Sequence, residues 1–153
     1  MSDANAASTT AKQDNTWITN KSADDILKDA DGGYLYTTRD RAKGNDQQCT
    51  ALVKHVTGLG PTSTWKEGDK IGEGNKPDIQ PGTAIATFKN GQYESKSTGN
   101  HAAIFLGYGE EKGKSGMYVL DQWSGQPAHK RFILFDTNRD PQNNAGAYSV
   151  IAK

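Results

Sequence analysis

The stretch Gln47-Gln48-Cys49-Thr50-Ala51-Leu52-Val53-Lys54-His55-Val56-Thr57-Gly58-Leu59-Gly60-Pro61 decides the fold. Leu52, Val53 and Val56 follow Cys49 by three, four and seven positions, which is one face of a helix. Asn45 or Asp46 is placed to cap its start, and Gly58, Gly60 and Pro61 to end it. Cys49 therefore falls in the first turn, on the stripe that turns inward. It is the only cysteine in 153 residues. No internal disulfide can form, so the fold must stand on its core alone.

Outward from this helix the chain divides simply. Residues 1–15 are polar, without apolar periodicity, and read as a disordered tail; 16–153 reads as a single domain. Residues 20–30 suggest a short helix, with Ser22 as cap and Asp25 three positions later. Tyr34-Leu35-Tyr36 is a short apolar piece without an assigned role. Residues 62–76 read as a polar, Gly-rich loop carrying Trp65. Apolar runs at 83–88, 101–108, 117–123, 130–135 and 147–151 are strand candidates, and Asn90-Gly91 is a turn between two of them. A helix followed by strands joined through short turns predicts an α+β domain: N-terminal helices packed on an antiparallel β-sheet.

Composition excludes several functions. Eighteen Lys+Arg balance eighteen Asp+Glu, which argues against a mainly electrostatic nucleic-acid binder. No run approaches the roughly 20 apolar residues that span a bilayer. The polar N-terminus has no basic segment followed by an apolar one, so no secretory signal is expected. The three histidines and single cysteine lack zinc spacing, so no metal and no cofactor are expected.

The chemistry then rests on few residues. A thiol in the first turn of a helix faces the positive end of the helix dipole and unpaired N–H groups; both favour the thiolate. The same N–H groups suit an oxyanion. His101 opens a strand, and alternation puts it on one face with Ala103 and Phe105. Asp121 shares a strand face with Met117, Val119 and Trp123, where an acid needs a partner. Pairing of the two strands through the 110–116 turn would bring Asp121 to the His101 ring, fixing its tautomer. His55 lies about 600° around the helix from Cys49, on another face. His129 is expected in an exposed turn. Trp65, Tyr108 and Trp123 are candidates to line a cleft, and Gln122, on the other strand face, is a weaker orienter than Asp121. Cys at a helix start, His at a strand start and an acid on the next strand follow the order of papain-type catalysis.

These segments resemble the small bacterial cysteine amidases of the NlpC and CHAP type, papain-like peptidases that cut peptidoglycan stem peptides. Gln48-Cys49-Thr50-Ala51-Leu52-Val53 is similar to their Gln-Cys helix start. Residues 79–88, with Pro81-Gly82, are similar to the strand before the catalytic His. Gly99-Asn100-His101-Ala102-Ala103-Ile104-Phe105-Leu106-Gly107 resembles the His strand, and Val119-Leu120-Asp121-Gln122-Trp123 the strand with the third polar residue. The Thr64-Trp65-Lys66 and Asp121-Gln122-Trp123 segments further resemble a narrow bacterial group akin to the amidase effectors of type VI secretion. Thr83 departs from the Asp that many such amidases carry after Pro-Gly. The third catalytic position varies among them between His, Asn, Asp and Glu.

The resemblance implies a papain-like fold over residues 45–135 and a hydrolase with Cys49 as nucleophile, His101 as base and Asp121 as orienter. Gln48, Trp65, Tyr108, Gln122 and Trp123 are the expected substrate contacts, with Gln48 beside the oxyanion. The implied substrate is the peptide of peptidoglycan, cut without a cofactor. A cytoplasmic enzyme fits the missing signal; so does a toxin exported by a contact-dependent machine to act in a target periplasm. A toxin implies an immunity protein that plugs the cleft. Two alternatives stay open. One is a cysteine acyl hydrolase acting on a protein glutamine, an isopeptide or a lipid ester. The other is a non-catalytic module holding peptide or glycan through Trp65, Tyr108 and Trp123.

Overall fold

In the computed structural model, residues 15–153 are described. The tail expected over 1–15 lies, up to residue 14, outside the described residues; the Asn15 carbonyl accepts from the Lys153 N–H. Among the described residues three short helices come first. Helix α1 (Ala23–Ala30) starts as its sequence predicts, the Ser22 hydroxyl accepting from the Asp25 N–H at 3.1 Å. Helix α2 (Thr38–Ala42) sits in a charged run whose lack of apolar period hid it. Thr37 caps it, and the buried Asp40 carboxylate accepts from Lys54 at 2.9 Å.

Helix α3 (Cys49–Thr57) is the helix read from the apolar stripe. It buries Cys49, Ala51, Leu52 and Val53. Gly58, with φ of 82°, ends it in the left-handed region. Its start differs from expectation. Neither Asn45 nor Asp46 is the cap; Gln48 is, in extended conformation and without a capping side chain.

Six strands form one antiparallel sheet: β1 (Lys66–Lys70), β2 (Thr83–Thr87), β3 (Ala102–Glu111), β4 (Lys114–Trp123), β5 (Gln126–Leu134) and β6 (Tyr148–Ala152). Their spatial order is β1-β6-β2-β3-β4-β5. Five strands match the apolar runs. Strand β1 lies in the segment expected to be loop. Its sequence, Lys-Glu-Gly-Asp-Lys, carries no apolar alternation because it is an edge strand paired only to β6.

The sheet buries both faces. Leu52, Val53 and Ile26 pack against Ala84, Ala102, Ile104 and Leu120 on the helix side. Ile85, Phe105, Met117, Val119, Ile133 and Tyr148 form the second cluster. The period of two in β3 and β4 distributes neighbours between the clusters, as alternation requires.

One polar side chain ties the helical layer to the sheet. Gln122 is fully buried. Its Oε1 accepts from the Leu35 N–H at 2.9 Å, and its Nε2 donates to the Leu35 carbonyl at 2.8 Å and the Gln48 carbonyl at 2.9 Å. The 34–36 segment thus gains a role: it is one side of a clamp on the residue that precedes Cys49. Gln122→Met keeps the bulk but orphans these buried backbone groups. The expected loss is about 1–3 kcal/mol of unfolding free energy, read by urea titration; an unchanged midpoint would refute the clamp.

Candidate functional site

The site lies where β3 begins, β4 ends and α3 points its first turn. In the β3–β4 pairing Ile104 faces Leu120, so Asp121 falls opposite Ala103, diagonal to His101 on the same face. Ala103 is small, and the carboxylate reaches the ring: His101 Nε2 and Asp121 Oδ2 are 2.7 Å apart. The backbone that carries the ring is held as well, since the His101 N–H donates to Thr87 Oγ1 at 2.9 Å and its carbonyl accepts from the Thr87 N–H. With Nε2 committed to Asp121, Nδ1 is the ring nitrogen left for the Cys49 thiol, which lies close enough for His101 to favour its thiolate.

Electrostatics favour the ion pair. Burial opposes ionisation of the Cys49 thiol, but the His101 hydrogen bond and charge, with further hydrogen bonds from Tyr93 and the Ala102 N–H, bring it below the ordinary thiol value. The Tyr93 hydroxyl is 3.7 Å from the sulfur. Burial likewise disfavours a charged His101, yet the hydrogen bond it donates to Asp121 and the neighbouring Cys49 push it up to about 9. Asp121 is fully buried. Desolvation would raise its pKa, but His101 and Arg131 together hold it below the usual carboxylate range. The first turn of α3 carries no capping side chain, and N–H groups at such a helix start suit an oxyanion.

Two hollows flank the pair. One, about 350 Å³, is lined by Gln48, Cys49, Thr50, Lys54, Tyr93 and Asn100. The other, about 330 Å³, is lined by Asn100, His101, Trp123, Arg131, Gln142 and Asn143. Asn100 borders both. A larger hollow of about 450 Å³ lies beside β6 and β2 and contains neither Cys49 nor His101. Among the described residues, no group of His, Cys, Asp and Glu is arranged to hold a metal, and no helix is long and apolar enough to cross a membrane.

The expected substrate contacts divide. Gln48 lines the Cys49 hollow, and Trp123, 39% exposed, lines the His101 hollow with its ring centroid 6.0 Å from the imidazole. Three others are corrected. Trp65 is 5% exposed, donates its indole N–H to the Gly60 carbonyl and packs on Tyr93, because its apolar ring is needed in the helix-side core. Gln122 spends both ends of its amide on backbone and is sealed from solvent. Tyr108 lies seven residues along β3 from His101, roughly 20 Å away; its hydroxyl donates to the Pro77 carbonyl. Of the three aromatics that a non-catalytic binding module would use, only Trp123 faces a hollow beside the pair.

His129 also differs from expectation. It is on β5, paired in register with Asp121, not in a turn. Its Nδ1 lies 3.2 Å from the Pro127 carbonyl and 3.7 Å from Asp121 Oδ1. His55 is exposed and bonds the Tyr36 carbonyl, away from the site as its helical angle requires. Two site residues went unread. Tyr93 sits in an irregular segment with no period to place it. Arg131 interrupts an apolar strand two residues from His129, and the demand of a buried acid for a cation was the signal that could have found it.

A thiol primed in this way should alkylate at low pH. Iodoacetamide is expected to modify native Cys49 well below pH 8, with His101→Ala moving the rate profile upward. A native profile identical to that of the urea-unfolded chain would contradict the ion pair.

Residues 18–151 match the family model described as domesticated amidase effector 2. A type VI secretion amidase effector 2 protein of Salmonella typhi is 44% identical over 121 residues, covering 71% of this chain and 86% of the relative. A domesticated amidase effector 2 of Ixodes scapularis is 35% identical over 109 residues, covering 69% and 70%. The solved structure of a type 6 secretion amidase effector 2 (Tae2) superposes with a TM-score of 0.58 at 36% identity, over 79% of this chain and 88% of that one. The match spans α1 to β6, the whole frame that carries Cys49, His101 and Asp121, and on it the chain belongs to the amidase effector 2 family.

Proposed function

We propose that this protein hydrolyses an amide bond in the peptide part of peptidoglycan by cysteine–histidine catalysis of the papain type. The observation that carries the reading is the buried Cys49–His101–Asp121 series, with the sulfur at an uncapped helix start. The amidase effector names of its relatives support the amide substrate, and their type VI secretion names support delivery into a target cell's periplasm. A producer of such a toxin would also carry an immunity protein shaped to the two hollows.

The chemistry runs in two halves. The Cys49 thiolate attacks the scissile carbonyl carbon; a C–S bond forms and the carbonyl π electrons move to oxygen. The Cys49 N–H and the Gln48 side chain hold that oxyanion. The oxyanion collapses, the C–N bond breaks, and the His101 imidazolium gives its proton to the departing amine. His101 is now neutral and takes a proton from water, which attacks the thioester. Release of the acid restores thiolate and imidazolium. Asp121 keeps the ring in the tautomer that presents Nδ1 to sulfur and stabilises its charged form. Because His101 must reach the leaving nitrogen, the hollow lined by His101 and Trp123 takes the amine side, and the hollow lined by Cys49 takes the acyl side.

Purified protein mixed with muropeptides is expected to generate new amine ends, resolved by chromatography. Cys49→Ala abolishes them, and His101→Ala lowers kcat by about 10²–10⁴-fold. Activity should fall as pH rises through about 9, where the imidazolium loses the proton that the leaving amine needs. Undiminished cleavage by Cys49→Ala would overturn the reading.

A further inference from the structure

We propose that Arg131 is a positioning residue of this centre: it supplies the fixed cation that keeps Asp121 ionised, and through Asp121 it keeps His101 in its working charge state. The inference rests on the cysteine–histidine reading above.

The geometry is specific. Arg131 Nε donates to Asp121 Oδ2 at 2.8 Å, the same oxygen that faces His101 Nε2 at 2.7 Å. The guanidinium is fixed at its other end, where Nη1 donates to Asn143 Oδ1 and Nη2 to the Gln142 carbonyl, each at 3.3 Å. Its face lies on the Trp123 ring at 5.1 Å. A planar fork meets all three partners at once; a lysine ammonium gives up the fork but keeps a cation beside Asp121.

The arrangement is poor as pure scaffolding. Asp121 Oδ1 is buried without a hydrogen-bond partner, with His129 Nδ1 3.7 Å off. An orphaned carboxylate oxygen in the interior costs stability. The charge is therefore retained for what it does to His101. The other groups facing this carboxylate and cation do not replace Arg131. His101 itself comes from the start of β3, with Cys49 of α3 and Tyr93 beyond it. His129 comes from β5 and is partly exposed. Tyr148 of β6 is buried, and its hydroxyl donates to the Gln142 carbonyl. Arg131 is the one member of this group that is charged at every working pH.

Without that cation, a buried Asp121 takes up a proton at a higher pH. His101 then loses its anionic partner, and the thiolate–imidazolium pair reverts to the neutral pair. The acid side of the pH profile moves up.

The test is the pH profile of Cys49 alkylation by iodoacetamide in Arg131→Met, Arg131→Gln and Arg131→Lys, with peptidoglycan cleavage measured beside it. Alkylation reports the ion pair whether or not the substrate assignment is right, so loss of muropeptide cleavage in wild type would sink that assignment and leave this inference standing or falling by itself. Met and Gln are expected to shift the acid limb up by about one pH unit, roughly a tenfold slower reaction at its foot. Lys, which keeps the charge, should retain most of the wild-type profile. Gln guards against a Met variant that does not fold, and thermal melting identifies folded variants. An equal slowing at every pH, or a Lys profile that matches Met or Gln, would overturn the proposal.

Discussion

A carboxylate at zero exposure, Asp121, bonded to His101 at 2.7 Å, is the constraint from which the rest of the site follows. A charge so placed must be paired, and the sheet supplies both partners: His101 diagonally across from β4, Arg131 from the next strand. The pairing fixes which ring nitrogen faces the carboxylate and so which one faces sulfur. It also keeps the imidazole protonated, and that charge in turn stabilises the thiolate of Cys49. Without the carboxylate the imidazole loses the anion that favours its charged form.

The sulfur is held in place by different physics. Helix α3 lies on the sheet through Leu52 and Val53, a nondirectional contact that sets its distance and leaves its rotation loose. Gln122 adds direction. Its amide grips Gln48 and Leu35 from the strand that also bears Asp121. Adjacent residues of β4 point to opposite faces, so one orients the imidazole and the next holds the chain leading into the thiol. This explains why a short polar segment, Asp121-Gln122-Trp123, serves the site from three directions: Trp123 continues it into the hollow beside His101.

How much of this was legible in the sequence follows from range. The apolar stripe after Cys49 and the five apolar strands are local patterns, and they placed α3, the sheet and the His101–Asp121 pair. Strand β1 and helix α2 were not legible, because one is a charged edge and the other a five-residue turn held by its cap. The helix cap failed for a related reason: Asn45 and Asp46 have capping chemistry, but the clamp on Gln48 decides where the helix begins. Arg131 and Tyr93 depend on contacts across strands and loops, and no period announces such residues. The aromatics misled in one direction. Trp65 fills the helix-side core, and Tyr108, half-buried, packs against the second cluster.

Family membership fits this picture without adding to its chemistry, since the names of relatives identify an amide and a delivery route but no residue. In the proposed mechanism the Cys49 sulfur becomes bonded to the acyl half of its substrate. Rapid acid quench during turnover of muropeptides, followed by intact mass measurement and peptide mapping, tests it directly. A thioester adduct with the mass of the acyl fragment is expected, located on the peptide containing Cys49. Turnover with product accumulating while that peptide stays unmodified at every quench time, and with Cys49→Ser equally active, would contradict it.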